Sequence, residues 1–209
     1  MSTDTATTPI DAPTPTDGMP ECGGGGKKPM RADARRNYER LVTAAREVLA
    51  SRGTEASMDE IAKAADVGVG TLYRHFPKRI DLVEAVYRDD IDGLVCLAKN
   101  ADGDPWQDLV TWLQAFVRYA ESKRTFLTEL HEAFEKNPNF RLDSREKLAL
   151  ATDRVLTRAQ QAGQARDDID QADLMQLVGG MCMARSATFA QNSRLLELVL
   201  DGVRTQPVR

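Results

Sequence analysis

Several features are scarce in this chain of 209 residues, and each scarcity disfavours a class of protein. Aromatic residues make up only 6% of the sequence, which argues against β-sandwiches and barrels and favours helices. The three cysteines, Cys22, Cys96 and Cys182, form no CxxC pair, so we expect neither a disulfide-stapled secreted domain nor a structural zinc module. No apolar run reaches the roughly 18 residues that span a bilayer. The first thirty residues lack the apolar region of a signal peptide, so we expect a soluble, cytoplasmic protein.

Charge is unevenly distributed, although the formal net charge is only −4. Residues 27–79 carry twelve bases and seven acids, whereas residues 80–209 carry sixteen bases and twenty-one acids. A basic segment joined to an acidic remainder suggests a polyanion-binding segment followed by a part of the protein with a different function. Local charge excess on solvated helix faces is the alternative, and charge alone does not decide between the two.

The pattern of apolar residues predicts an all-α protein. Residues 1–29 contain too few large apolar groups to offset the entropy of ordering and are predicted to be disordered. Beyond them apolar residues recur at helical spacing, and no strand alternation appears. We predict helices near 33–51, 58–65, 69–75, from 78, from 105, 123–135, 141–162, 170–190 and 193–204, with breaks at 137–139, Gly163 and 192–193.

The most informative segment runs from Ser57 to Arg79. Ser57 and Glu60 have the spacing of a capping box that opens a short helix. Asp66 lies where the chain must turn sharply, and aspartate tolerates left-handed backbone geometry better than most residues. Gly68 can then cap a second short helix. Two short helices around a tight turn predict a helix-turn-helix.

The outward face of the second short helix has the chemistry of a DNA-reading surface. Gly70 permits close approach to the duplex, Val69 offers a methyl surface to thymine, and Thr71 offers a hydroxyl to a base edge or phosphate. Neighbouring polar and basic groups suit phosphate oxygens. The predicted DNA contacts are Arg35, Arg36, Ser57, Val69, Gly70, Thr71, Tyr73, Arg74, His75, Lys78 and Arg79.

These residues resemble a known family. The run from Thr71 to Lys78 (TLYRHFPK), with Ile61-Ala62 upstream and the preceding helix from Arg35 to Gly53, closely resembles the N-terminal domain of TetR/AcrR-type transcriptional regulators. The stretch 112–120 resembles the SbtR-like C-terminal subgroup. The turn departs from the family pattern, because Asp66 and Gly68 stand where glycine and serine are usual.

The resemblance implies a DNA-binding domain at residues 30–77 and a helical effector-binding and dimerisation domain at residues 78–209. It further implies that the last two long helices form a homodimer. The predicted interface residues are Gly179, Gly180, Ala184, Ala187, Leu195, Leu198 and Val199. The candidate effector-binding residues are Trp112, Phe116, Tyr119, Phe126, His131, Phe134, Met175 and Met183. Core packing is the alternative at each of these positions, and the small-molecule effector is not identified by the sequence.

The resulting hypothesis is a homodimeric repressor that binds a palindromic DNA operator in the major groove and is released by a small molecule. A DNA-binding architectural protein without an effector is the alternative. A small helical enzyme is disfavoured, because the sequence has no GxSxG, HExxH, dinucleotide or phosphate-loop motif. We expect no cofactor. His131 and Glu135 could share a metal, but two ligands without a third favour a surface contact.

Overall fold

The computed structural model describes residues 32–184 and 188–205, so the predicted tail and Ala187 lie outside the described residues. Within these residues the chain forms nine α-helices and a short 3-10 helix at Gly53–Glu55, and no strand. The all-α prediction is therefore confirmed. The helices are α1 (Ala32–Arg52), α2 (Met58–Ala64), α3 (Val69–His75), α4 (Arg79–Lys99), α5 (Pro105–Arg124), α6 (Leu127–Lys136), α7 (Pro138–Gln161), α8 (Gln171–Met183) and α9 (Phe189–Val203).

Side-chain caps define where most of these helices begin. The Ser57 hydroxyl accepts a hydrogen bond from the backbone amide of Glu60, and the Glu60 carboxylate accepts one from the amide of Ser57. At α5 the Asp104 carboxylate accepts from the backbone amide of Gln107, and Asn137 caps α7. Because the Asn137 side chain accepts from the amide of Phe140, α7 begins at Pro138, three residues before the predicted start.

The predicted break at residues 192–193 is wrong. α8 ends at Met183, and α9 begins at Phe189, where the Thr188 hydroxyl accepts from the backbone amide of Gln191 at 3.2 Å. Asn192 lies inside α9 and is fully buried. Its amide donates to the Glu121 carboxylate on α5 at 3.0 Å, so a residue type common in loops serves here as an interhelical contact.

Two clusters of buried side chains form the core, and α4 runs through both. The first joins α1, α2, α3 and the first half of α4 with Phe126, Leu130 and Phe140. The second joins the end of α4 with α5, α7, α8 and α9. We call residues 32–77 the head and the remaining described residues the body. In the described part of the chain, no helix combines the length and the apolar character needed to cross a membrane.

Candidate DNA-binding site and effector body

The turn between α2 and α3 is held by Arg40 of α1. The Arg40 guanidinium donates to the backbone carbonyl of Asp66 at 3.0 Å and to its carboxylate at 2.8 Å. Asp66 has a φ of 51°, the left-handed conformation expected from the sequence. Sequence reasoning missed Arg40, because 26 residues separate the partners and no local pattern links them.

α3 presents one face to solvent. Val69 is 41% exposed and Tyr73 46% exposed, whereas Leu72 is fully buried beneath them. Among the described residues, a Cβ placed on Gly70 would approach only the Arg74 guanidinium, at 4.0 Å. Nothing described inside the protein therefore requires glycine at this position. Its absent side chain instead suits close approach by an external partner.

Two predicted contact residues of α3 are half-buried. Thr71 lies at the edge of the exposed face. The ring of His75 lies 6.1 Å from that of Tyr38 and 6.2 Å from that of Phe76, measured between centroids. These contacts fix the orientation of the imidazole at the end of α3.

The predicted contact residues outside α3 lie on α1, at the cap of α2 and at the start of α4. Arg35 and Arg36 are exposed on the first turns of α1, each in an ion pair within that helix. The Ser57 hydroxyl is engaged in the cap of α2. Lys78 is exposed just before α4, and its backbone amide donates to the Asp81 carboxylate at 2.9 Å.

Arg79 points away from this surface and into the protein. Its guanidinium forms an ion pair with Glu129 of α6, with 2.7 Å between Nε and Oε1. It also donates to the backbone carbonyls of Gly53, at 3.0 Å, and Ala56. Arg79 thus joins the first residue of α4 to the end of α1 and to the body.

Four of the candidate effector residues lie in two aromatic groups. Trp112 and Phe116 stack at 5.8 Å in the second core cluster, and the Trp112 indole donates to the carbonyl of Leu94 at 3.0 Å. Tyr119 and Phe134 both pack against Tyr87, at 5.9 and 5.3 Å between centroids. These contacts give every one of these rings a packing role in the core.

The other candidates are more scattered. Phe126 is buried in the first cluster, and Met175 is half-buried against the second. Met183 is exposed at the end of α8. His131 is exposed on α6, with 3.4 Å between its Nε2 and Oε1 of Glu135. No group of three or more potential metal ligands occurs among the described residues.

A buried charge network lies between the head and the body, and sequence reasoning missed it. Lys123 of α5 forms an ion pair with Asp90 of α4, and Nε of Arg46 on α1 lies 2.6 Å from the same carboxylate. The Lys123 ammonium also lies 4.8 Å from the ring centroid of Tyr119 and 5.3 Å from that of Phe126. Burial lowers the pKa of Lys123, and the Asp90 carboxylate opposes that shift.

Cys182 has the environment of an inert thiol. It is fully buried on α8. Burial, assisted by the Glu121 carboxylate, raises the pKa of the Cys182 thiol to about 11. The nucleophilic thiolate is therefore almost absent at neutral pH.

The predicted dimer residues lie on the outer side of α8 and α9. Gly179 and Gly180 have no described atom within 4 Å of a Cβ placed on them, so both face open space. Leu198 is 66% exposed, while Leu195 and Val199 are half-buried. Ala184 is exposed at the end of α8. Further exposed apolar side chains extend this surface: Leu177, Met183 and Phe189.

Comparison with known proteins identifies the family. A TetR transcriptional regulator from Streptomyces coelicolor, of known crystal structure, is 33% identical; the alignment covers 81% of this chain and 99% of that chain, with a TM-score of 0.73. The chain belongs to the TetR family of transcriptional regulators. A TetR regulatory protein from Mycobacterium vanbaalenii is 30% identical over 85% of this chain and all of that chain, with a TM-score of 0.69.

Family models match both parts of this TetR-family chain. Residues 41–86 match the model of bacterial regulatory proteins of the tetR family. Residues 104–205 match the SbtR-like transcriptional regulator C-terminal domain, which confirms the resemblance found at 112–120. The HTH-type transcriptional regulator UidR of Escherichia coli K12 is 28% identical over 193 residues, covering 84% of this chain and 97% of the relative. The protein is a DNA-binding transcriptional regulator of this family.

Proposed function

We propose that the protein is a homodimeric, ligand-responsive repressor that binds a pseudo-palindromic operator in the major groove and acts in the cytoplasm. The supporting observation is that one chain exposes both a DNA-suited face on α3 and an apolar face on α8 and α9. A helix of two turns contacts few base pairs. Two copies, spaced by one turn of the duplex, give a useful site size.

The proposal assigns a different function to each of the two parts of the chain. Residues 30–77 bind DNA, and residues 78–209 bind the effector and the second copy. Val69 and Thr71 contact base edges, whereas Tyr73 and Lys78 contact phosphate oxygens and fix the register of α3. The exposure of Val69, Tyr73 and Lys78 supports these assignments.

Gly70→Ala is expected to stabilise the protein and to weaken operator binding. Alanine is more favourable than glycine in a helix, by less than about 1 kcal/mol at the second residue of α3, and the described residues leave room for the methyl group. The same methyl group would lie between α3 and the duplex, so operator affinity should fall about tenfold. Thermal unfolding and fluorescence anisotropy measure the two effects.

Gly202→Ala is the matched control for this substitution. Gly202 is also a helical glycine with no described atom near its Cβ position, but it lies at the end of α9. Gly202 lies one turn beyond Leu198, so light scattering must first show that the variant is still a dimer; it should then gain stability and keep operator affinity. If Gly70→Ala also kept its affinity, the start of α3 would not approach the duplex.

Glutamate substitution of two exposed leucines is expected to separate the dimer. Leu177 on α8 and Leu198 on α9 are 55% and 66% exposed, so Leu177→Glu with Leu198→Glu should leave the monomer folded. Burying two carboxylates at an apolar interface is unfavourable. Light scattering should therefore give the mass of one chain, and operator affinity should fall about 100-fold because the second head is no longer tethered.

Leu150→Glu is the control for the dimer experiment. Leu150 is 65% exposed, like Leu198, but it lies on α7. This variant should retain the mass of two chains and the operator affinity of the unaltered protein. A dimer broken by Leu150→Glu and preserved in the double variant would place the interface on α7.

An apolar or aromatic small molecule is proposed to release the operator by shifting α4. Such coupling changes affinity by about 5–150-fold in typical allosteric proteins. Titration of the protein–operator complex with candidate effectors tests it. Release accompanied by a changed distance between the two heads supports the mechanism. A distance between the heads that is identical with and without effector contradicts the mechanism. A dimer that no effector releases from the operator favours the architectural alternative.

A further inference from the structure

Arg79 makes a set of contacts that a phosphate-binding residue would not need. Its side chain is 24% exposed, and that of Glu129 is 20% exposed. Nε and Nη2 both face the Glu129 carboxylate, at 2.7 and 3.4 Å. Nη2 also donates to the carbonyl of Gly53, and Nη1 to that of Ala56. Each nitrogen of the guanidinium thus has a protein acceptor.

A second contact joins the head and body beside this pair. Thr125, which lies between α5 and α6, donates its hydroxyl to the carbonyl of Leu49 at 3.0 Å. Gly53 has a φ of 54°, and a Cβ placed on it would lie 2.5 Å from the carbonyl oxygen of Thr125. The end of α1 therefore lies directly against the start of α6, where Glu129 is located.

We propose that Arg79 and Glu129 are positioning residues for operator binding: their ion pair holds the head at a fixed orientation on α6, and Arg79 does not contact phosphate. The inference rests on the proposed function, because orientation matters only where two heads must meet successive half-sites. Glu129 belongs to the body, whereas the carbonyls of Gly53 and Ala56 belong to the head. Arg79, the first residue of α4, contacts both groups.

The two roles of Arg79 predict opposite effects of neutralising Glu129. If Arg79 contacted phosphate, Glu129→Gln would remove a negative charge near it and would leave operator affinity unchanged or raised. If the pair orients the head, the same variant lowers affinity, because the amide cannot replace the charge-assisted contact. Arg79→Lys separates the roles again. Lysine keeps the charge that a phosphate requires, but it cannot reach Glu129 and two carbonyls in the same planar geometry.

The experiment measures operator affinity of the full chain at several salt concentrations. Glu129→Gln and Arg79→Lys should each lower affinity about tenfold and leave the salt dependence unchanged. Lys78→Ala, which removes a phosphate contact, should reduce the salt slope by about one. Glu132→Gln is the matched control on α6, since Glu132 is an exposed residue paired only with Lys136 among the described contacts. It should bind like the unaltered protein.

Two results of the binding experiment would overturn the inference. One is that Glu129→Gln and Arg79→Lys bind normally. The other is that Arg79→Met reduces the salt slope by about one, as expected for a lost phosphate contact.

Hydrogen exchange tests the same ion pair without the operator. Glu129→Gln should speed exchange of the Ala56 amide, which donates to the carbonyl of Gly53 at 3.3 Å. Unchanged exchange would show that the Arg79–Glu129 pair does not hold the head. Absence of any preferred DNA site would instead contradict the proposed function.

Discussion

Replacing Lys123 by methionine is expected to lower the free energy of unfolding by about 3 kcal/mol. The carboxylate of Asp90 is almost fully buried and is shared between Lys123 and Arg46. Methionine fills similar volume and can pack against the aromatic rings around the ammonium, so the loss comes mainly from the buried Oδ2 of Asp90, which loses its partner while Arg46 still contacts Oδ1. Urea unfolding at a fixed protein concentration measures the change, since dimer stability depends on concentration.

Two variants isolate the effect of that charge. Lys136→Met removes an exposed lysine paired with Glu132 and should cost less than about 1 kcal/mol. Asp90→Asn combined with Lys123→Met removes both charges of the buried pair and should be less destabilising than the sum of the single changes. Strict additivity of the two single changes would show that Lys123 and Asp90 do not stabilise each other.

Gly53→Ala is expected to destabilise the protein by about 3 kcal/mol and to disturb the seating of the head. The left-handed φ of 54° penalises any Cβ. The new methyl carbon would also lie 2.5 Å from the backbone oxygen of Thr125, which cannot move without displacing the start of α6. Operator affinity should therefore fall as well.

Gly163→Ala separates the two causes. Gly163 has a φ of 68°, but no described atom lies within 4 Å of its Cβ position. Only the backbone cost of about 1–2 kcal/mol then remains, and operator affinity should be unchanged. Equal losses in the two variants would mean that contact with Thr125 contributes nothing at Gly53.

The helices of the head could be predicted from the sequence because their determinants are local. Ser57 and Glu60 are three residues apart, and the left-handed turn at Asp66 follows from its own side chain. The start of α9 also has a local signal that was missed. Thr188 and Gln191 have capping-box spacing, but the apolar pattern continues across this region and favoured a first helix that runs on to residue 190 and a break at residues 192–193.

The contacts between head and body could not be predicted, because their partners are far apart in the chain. Arg79 contacts Gly53 of the head and Glu129 of α6, which are 26 and 50 residues away in the chain, and only the packing of α4 against α1 and α6 brings these groups together. Part of the buried network had a detectable signal. Lys123 continues the apolar stripe of Trp112, Phe116 and Tyr119 along α5, so a charge at a core position was visible in the sequence. Its partner on α4, Asp90, could not be identified from the sequence.

Binding of the full chain to its own upstream DNA, compared with a scrambled fragment of equal length at two salt concentrations, tests the central claim most directly. The account predicts a preference for the upstream fragment of about a thousandfold or more that persists as salt is raised. Equal affinity for both fragments, falling steeply and in parallel with salt, would show phosphate contacts without sequence readout by α3. That result would contradict the proposed operator-specific repressor.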